Sequence, residues 1–199
     1  MTRAHATLAM AAVTLGCAAA IAELRPTEAQ PASLAAEIES ETDHISALEL
    51  GERLRRGDRN LLVLDLRTER EFQEFHIAGA KQAALRELAQ EGLPQTSDIV
   101  LYSEGGGHAA QAWVLLRLRG YRRVYFLREG LYEWVSRVYE PRLASDATPE
   151  ERAEFEKAAP LSRYFGGTPR SDVPRAEVPT GYWTGHTGGT TVVAHRRGC

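Results

Sequence analysis

The stretch that could do chemistry runs from Ser103 to His108, Ser-Glu-Gly-Gly-Gly-His, and joins an apolar run ending at Tyr102 to a segment of helical character. Gly105, Gly106 and Gly107 permit positive φ and close backbone approach. A helix that begins just after them aims its unsatisfied N–H groups back at the loop, so the arrangement can cradle an anion. The glycine triplet can also simply make a tight turn. The loop is not a Walker phosphate loop, because no Gly-Lys-Ser/Thr follows. Nor is it a G-x-S-x-G elbow, because no glycine lies two residues before the serine. Ser103 could act as a nucleophile with His108 as its base and Glu104 or Asp65 as the orienting carboxylate. A base placed that far along a tight, curling loop need not face the serine, which counts against hydrolase chemistry.

Such a loop needs a framework. LLVLDL (Leu61 to Leu66), IVLY (Ile99 to Tyr102) and VYFL (Val124 to Leu127) are aliphatic runs too short for helices and predict strands buried on both faces. Helical segments lie between them: Ser46 to Asp58 with Ser46 as N-cap, Arg70 to Phe75, Ala83 to Gly92 and His108 to Gly120. Alternating strands and helices predict an α/β fold, an open parallel sheet with helices on both faces. Ligands collect beyond the carboxyl ends of such strands, which is where Ser103 stands.

The ordered set Asp65-Leu66-Arg67, Glu71-Phe72, His76-Ile77-Ala78-Gly79-Ala80, the loop at Ser103, Gly120-Tyr121 with Val124, and Gly130 followed by Trp134 resembles the rhodanese-like (sulfurtransferase) family from about Ile45 to Val138. In active members the position matching Ser103 is a cysteine whose thiolate carries a persulfide. A serine hydroxyl does not ionise in that range and cannot hold a persulfide. His108 stands where many members have an arginine, and Glu104 places a negative charge inside the cradle; both weaken the site for thiosulfate. Phe75, Ala78 and Glu129 are further departures from the family pattern. The short loop length belongs to the sulfurtransferase branch rather than to the related phosphatases. The resemblance implies a catalytically silent binding or interaction module whose partner is an unknown protein or a small anion. The alternative is sulfur transfer through another thiol, Cys199 or a partner's. Asp65 and Arg67 read as charges that brace the end of a strand, and His76 as a turn residue bonded to backbone.

The rest of the chain adds boundaries. With 199 residues, 43% hydrophobic and a formal net charge of −3, one core is expected and nothing favours nucleic acid. The arginines of LLRLRGYRRVYFLR (Leu115 to Arg128) read as solvent-facing sides of core elements. Arg3, the uncharged stretch Ala6 to Ala22 and Ala20-Ile21-Ala22 before Glu23 have the layout of a secretory signal, which implies export to the periplasm or beyond. Retention as a membrane anchor and lipidation at Cys17 are the alternatives. Cleavage would leave Cys199 as the sole thiol, with no intramolecular disulfide. The expected organisation is 1–22 signal or anchor, 23–43 linker in which Ser33 to Glu41 can form a short helix contributing little to the core, 44–143 rhodanese-like domain, 144–164 a short helical extension opened by a capping box at Thr148, and 165–199 a disordered tail bearing Tyr182 and Trp183. No metal site or cofactor is expected, since His186, His195 and Cys199 are irregularly spaced.

Overall fold

The computed structural model describes residues 31–90 and 92–178, and the backbone of two short strands, β8 (His186–Thr187) and β9 (Thr190–Thr191), which pair antiparallel. The three apolar runs are strands: β2 (Leu61–Asp65), β4 (Asp98–Tyr102) and β5 (Val124–Leu127). With β1 (His44–Ile45) and β3 (Lys81–Gln82) they form one five-stranded sheet in the order β1-β5-β4-β2-β3, every pair parallel. β4 lies at the centre with all five residues buried. Side chains alternate across a strand. Val63, Val100 and Tyr102 therefore enter one core with Leu50, Ile77, Leu127, Leu131, Trp134 and Val138, while Leu64, Ile99 and Leu101 enter the other with Leu88, Ala112, Trp113 and Leu116.

The helices follow the capping chemistry of the sequence. α2 (Ala47–Arg55) is N-capped by the Ser46 hydroxyl, which accepts the Glu49 N–H at 3.2 Å. α3 (Glu69–Glu74) opens on a reciprocal capping box between Thr68 and Glu71. α4 (Leu85–Gln90) and α5 (Gly107–Leu118) flank β4 in sequence. α6 (Gly130–Trp134) continues as a π-helical turn over Val135–Tyr139.

Three expectations are corrected. Within the segment read as a linker, α1 (Pro31–Glu39) packs on the sheet's second face: Leu34 is buried in that core and the Glu37 carboxylate pairs with Arg117. Arg117, read as solvent-facing, is buried; its Nη1 donates to the Tyr121 and Arg122 carbonyls at 3.0 and 2.8 Å. Its charge is met by Glu37 and its terminal nitrogens by Glu37 and the two carbonyls, while its Nε is buried without a partner among the described residues.

Nor does the packed unit stop at Leu143. After β6 (Arg142–Ala144), α7 (Pro149–Tyr164) starts on the expected Thr148–Glu151 capping box and sends Leu161 into the first core. The tail is ordered as far as Val178: Phe165 meets the Trp134 ring edge-on at 5.0 Å, and β7 (Arg170–Val173) pairs parallel with β6. Arg175, in a 3₁₀ turn, binds Asp146 and Glu151. Polar and backbone bonds hold this segment, so it carries no apolar period. Residues 1–30, among them the stretch read as a secretory signal, and Tyr182, Trp183, His195 and Cys199 lie outside the described residues. Among the described residues no helix is long and apolar enough to cross a membrane.

Candidate functional site

The chain leaves β4 at Tyr102 and turns through Ser103–Gly106 into α5. Gly106 caps α5 at φ +85°, and a Cβ there would lie 2.2 Å from the Arg128 carbonyl oxygen, so only glycine fits. Three of the loop's carbonyls are committed. Ser103 O accepts the Leu131 N–H at 2.8 Å, Glu104 O accepts the Tyr132 N–H at 3.2 Å, and Gly106 O accepts the Ala110 N–H at 2.9 Å. Across a trans peptide unit C=O and N–H point in opposite directions. The N–H groups of Glu104, Gly105 and Gly107 therefore face away from those partners, and no backbone or side-chain acceptor binds them among the described residues. With the first N–H groups of α5 they form a concave row of donors at a helix N-terminus, suited to an oxyanion.

Ser103 stands at the start of this row, only 3% exposed. Its hydroxyl makes no hydrogen bond among the described residues, and it is not one of the buried polar atoms cut off from solvent there. It therefore opens onto the cradle. Glu104 and His108 are exposed. Tyr132, on α6, lies over the loop: a Cβ on Gly105 would be 3.3 Å from its ring. Burial, then the Glu104 carboxylate near it, with Glu71 adding to the effect, pushes the Tyr132 phenol up to about 12. Tyr132 had no signal in the sequence beyond its place two residues after Gly130.

Asp65 and Arg67 lie one strand over. The Asp65 carboxylate is fully buried and accepts from the Arg67 backbone N–H at 2.9 Å, Nε at 3.1 Å and Nη2 at 2.7 Å. Arg67 Nη2 also donates to the Phe75 carbonyl at 2.5 Å, and Gln82 Nε2 donates to the Arg67 carbonyl at 3.0 Å. The Tyr102 hydroxyl accepts the Ile77 N–H at 3.1 Å and lies within the field of Asp65. Burial, with Asp65 beside it, holds that phenol above its ordinary value. This network ties the end of β2 to the 75–77 turn and to the residue that enters the loop. It touches the cradle through Tyr102 rather than directly. His76 Nδ1 lies 2.8 Å from the Phe72 carbonyl and its ring stacks on Phe72. Among the described residues no group of His, Cys, Asp or Glu could hold a metal.

A five-stranded parallel sheet with a donor-lined loop between its central strand and the next helix defines a class of anion-loop α/β proteins. Residues 46–137 match the family model of the rhodanese-like domain. The chain is 29% identical over 89 residues to an uncharacterized Bacillus subtilis protein, YqhL, covering 44% of this chain and 71% of that one. It is 31% identical to the rhodanese-like domain of the Anabaena Alr3790 protein, solved by NMR, covering 47% of this chain and 74% of that one with a TM-score of 0.44. The human single-domain sulfurtransferase TSTD1 is also similar, at 23% identity over 47% of this chain and 96% of that one, TM-score 0.42. The chain belongs to the rhodanese-like family.

Proposed function

We propose that this chain is an exported rhodanese-like binding module that does not itself transfer sulfur. The observation that carries the reading is Ser103: a hydroxyl, 3% exposed, sits where the strand enters a loop of free N–H donors, and no thiol is present on that loop. Such a loop can lower the pKa of a thiol and stabilise its thiolate, but an alcohol stays protonated and offers no sulfur to accept another. What the loop retains is recognition: backbone donors, a helix N-terminus and a rim of named side chains. The apolar stretch Ala6 to Ala22 supports export. A partner that presents an oxyanion or a negatively charged group fits the donor row.

The test is thiocyanate formation from thiosulfate and cyanide by the purified full chain and by its Cys199→Ser variant. Neither should exceed the protein-free rate. Turnover that disappears with Cys199→Ser would establish the other reading, a sulfurtransferase using the C-terminal thiol. Ser103→Cys should gain one sulfur atom from thiosulfate slowly, as read by mass spectrometry. Adding Glu104→Gln and His108→Arg should raise that rate by at least about tenfold, equivalent to about 1.4 kcal/mol.

A further inference from the structure

We propose that the Ser103 loop selects a small zwitterion, with an oxyanion head on the loop's N–H groups and an ammonium group on the Glu104 carboxylate. The proposal rests on the reading of the loop as a binding site and names the class of ligand it takes. Two opposite demands meet within one side-chain length. The floor presents donors: the N–H groups of Glu104, Gly105 and Gly107, the first turn of α5, and the Ser103 hydroxyl, buried yet without a partner among the described residues. That floor calls for oxygen atoms carrying negative charge. The rim is acidic: Glu104 is exposed on the same loop, and its carboxylate, with that of Glu71, acts on the Tyr132 phenol.

Arg67 and Arg70 stand near Glu71 and offset its charge, while Glu104 has no ion pair among the described residues. Arg67 spends its guanidinium on Asp65 and the Phe75 carbonyl and is 9% exposed. Arg128 follows β5 but turns its side chain to His44 and Glu41. His108 is the only basic residue on the loop and the first turn of the helix. A small dianion such as thiosulfate is thus attracted by the floor and repelled by the rim. A simple amine is attracted by the rim but leaves the N–H groups of the floor unmatched. A molecule carrying both groups a short spacer apart satisfies the two surfaces at once, and discrimination between such ligands comes from repulsion as much as attraction.

Matched probes separate the contributions. Taurine carries a sulfonate and an ammonium, isethionate carries a hydroxyl in place of the ammonium, and ethylamine lacks the sulfonate. Each is titrated into the full chain, wild type and Glu104→Gln, following the amide resonances of Gly105, Gly106 and Gly107. Taurine should bind wild type at least about tenfold more tightly than isethionate. In Glu104→Gln the two should become equal, chiefly because isethionate tightens. Equal binding of taurine and isethionate to wild type, a taurine preference that survives Glu104→Gln, or ethylamine binding as tightly as taurine would each overturn the proposal. Sulfate is the control on the underlying reading. Sulfate shifting the loop amides of Glu104→Gln, alongside no taurine preference in wild type, leaves the binding loop standing and removes the zwitterion. No response to any oxyanion in either protein removes the binding loop itself.

Discussion

Gly130 presses its Cα against the carbonyl of Ser103 so closely that a Cβ added there would lie 2.1 Å from that oxygen. The contact holds the loop carbonyl in place for the Leu131 N–H and so turns the next N–H toward the cradle. Gly130→Ala has to displace the loop or α6. Its φ of +57° adds strain. Gly57 supplies the control, with φ +68° and nothing within 4 Å of an added Cβ. In urea denaturation Gly57→Ala should cost about 1 kcal/mol and Gly130→Ala more than about 2 kcal/mol. Only Gly130→Ala should shift the Gly105–Gly107 amide resonances.

The Asp65–Arg67 pair is expected to matter more than any pair at the surface. Asp65 is fully buried and answers donors from Arg67, so its replacement leaves a buried guanidinium uncompensated. Asp65→Asn should cost about 3 kcal/mol in denaturant melts. Arg70→Gln, which breaks the exposed Arg70–Glu74 pair, should cost less than about 0.5 kcal/mol.

Asp98 sets an acid limit on stability. Burial pushes its carboxyl up, but Arg123 at 2.7 Å and Arg53 at 2.6 Å outweigh burial and hold it below the ordinary carboxylate value. A depressed value means that the unfolded chain takes up the proton first. The stabilisation is present above about pH 4 and is lost as pH falls through the lowered value. Asp98→Asn should lower the thermal midpoint at pH 7, by about 1 kcal/mol once screening at half-exposed Arg123 is allowed for, and should flatten the acid limb of midpoint against pH.

Tyr132 reports on the rim of the loop. Ultraviolet titration of the full chain should show a tyrosine ionising near pH 12 that is absent from Tyr132→Phe. In Glu104→Gln that step should move down in pH, because a negative charge beside the phenol no longer opposes phenolate. An unmoved step would mean that burial alone sets it.

Much of the framework was legible because it rests on local patterns. Leu61 to Leu66, Ile99 to Tyr102 and Val124 to Leu127 read as short buried strands, and Ser46 and Thr148 with Glu151 mark helix starts through bonds that span a few residues. The glycine triplet beside Ser103 was readable for the same reason, since backbone freedom is a property of the residue. Contacts between residues distant in sequence were not readable. Leu34 and Glu37 look like any polar-segment residues until Arg117, far along the chain, requires a buried counter-charge. Phe165 to Val173 has no apolar period, yet it is held by Trp134 and by backbone pairing with β6. Tyr132 became part of the loop's mouth only because Gly130 lets α6 close on Ser103. Residue type determined that the loop could turn and that it lacks a thiol; three-dimensional packing decided which N–H groups it leaves free and which carboxylate stands over them, because the direction of a peptide group depends on what its carbonyl binds.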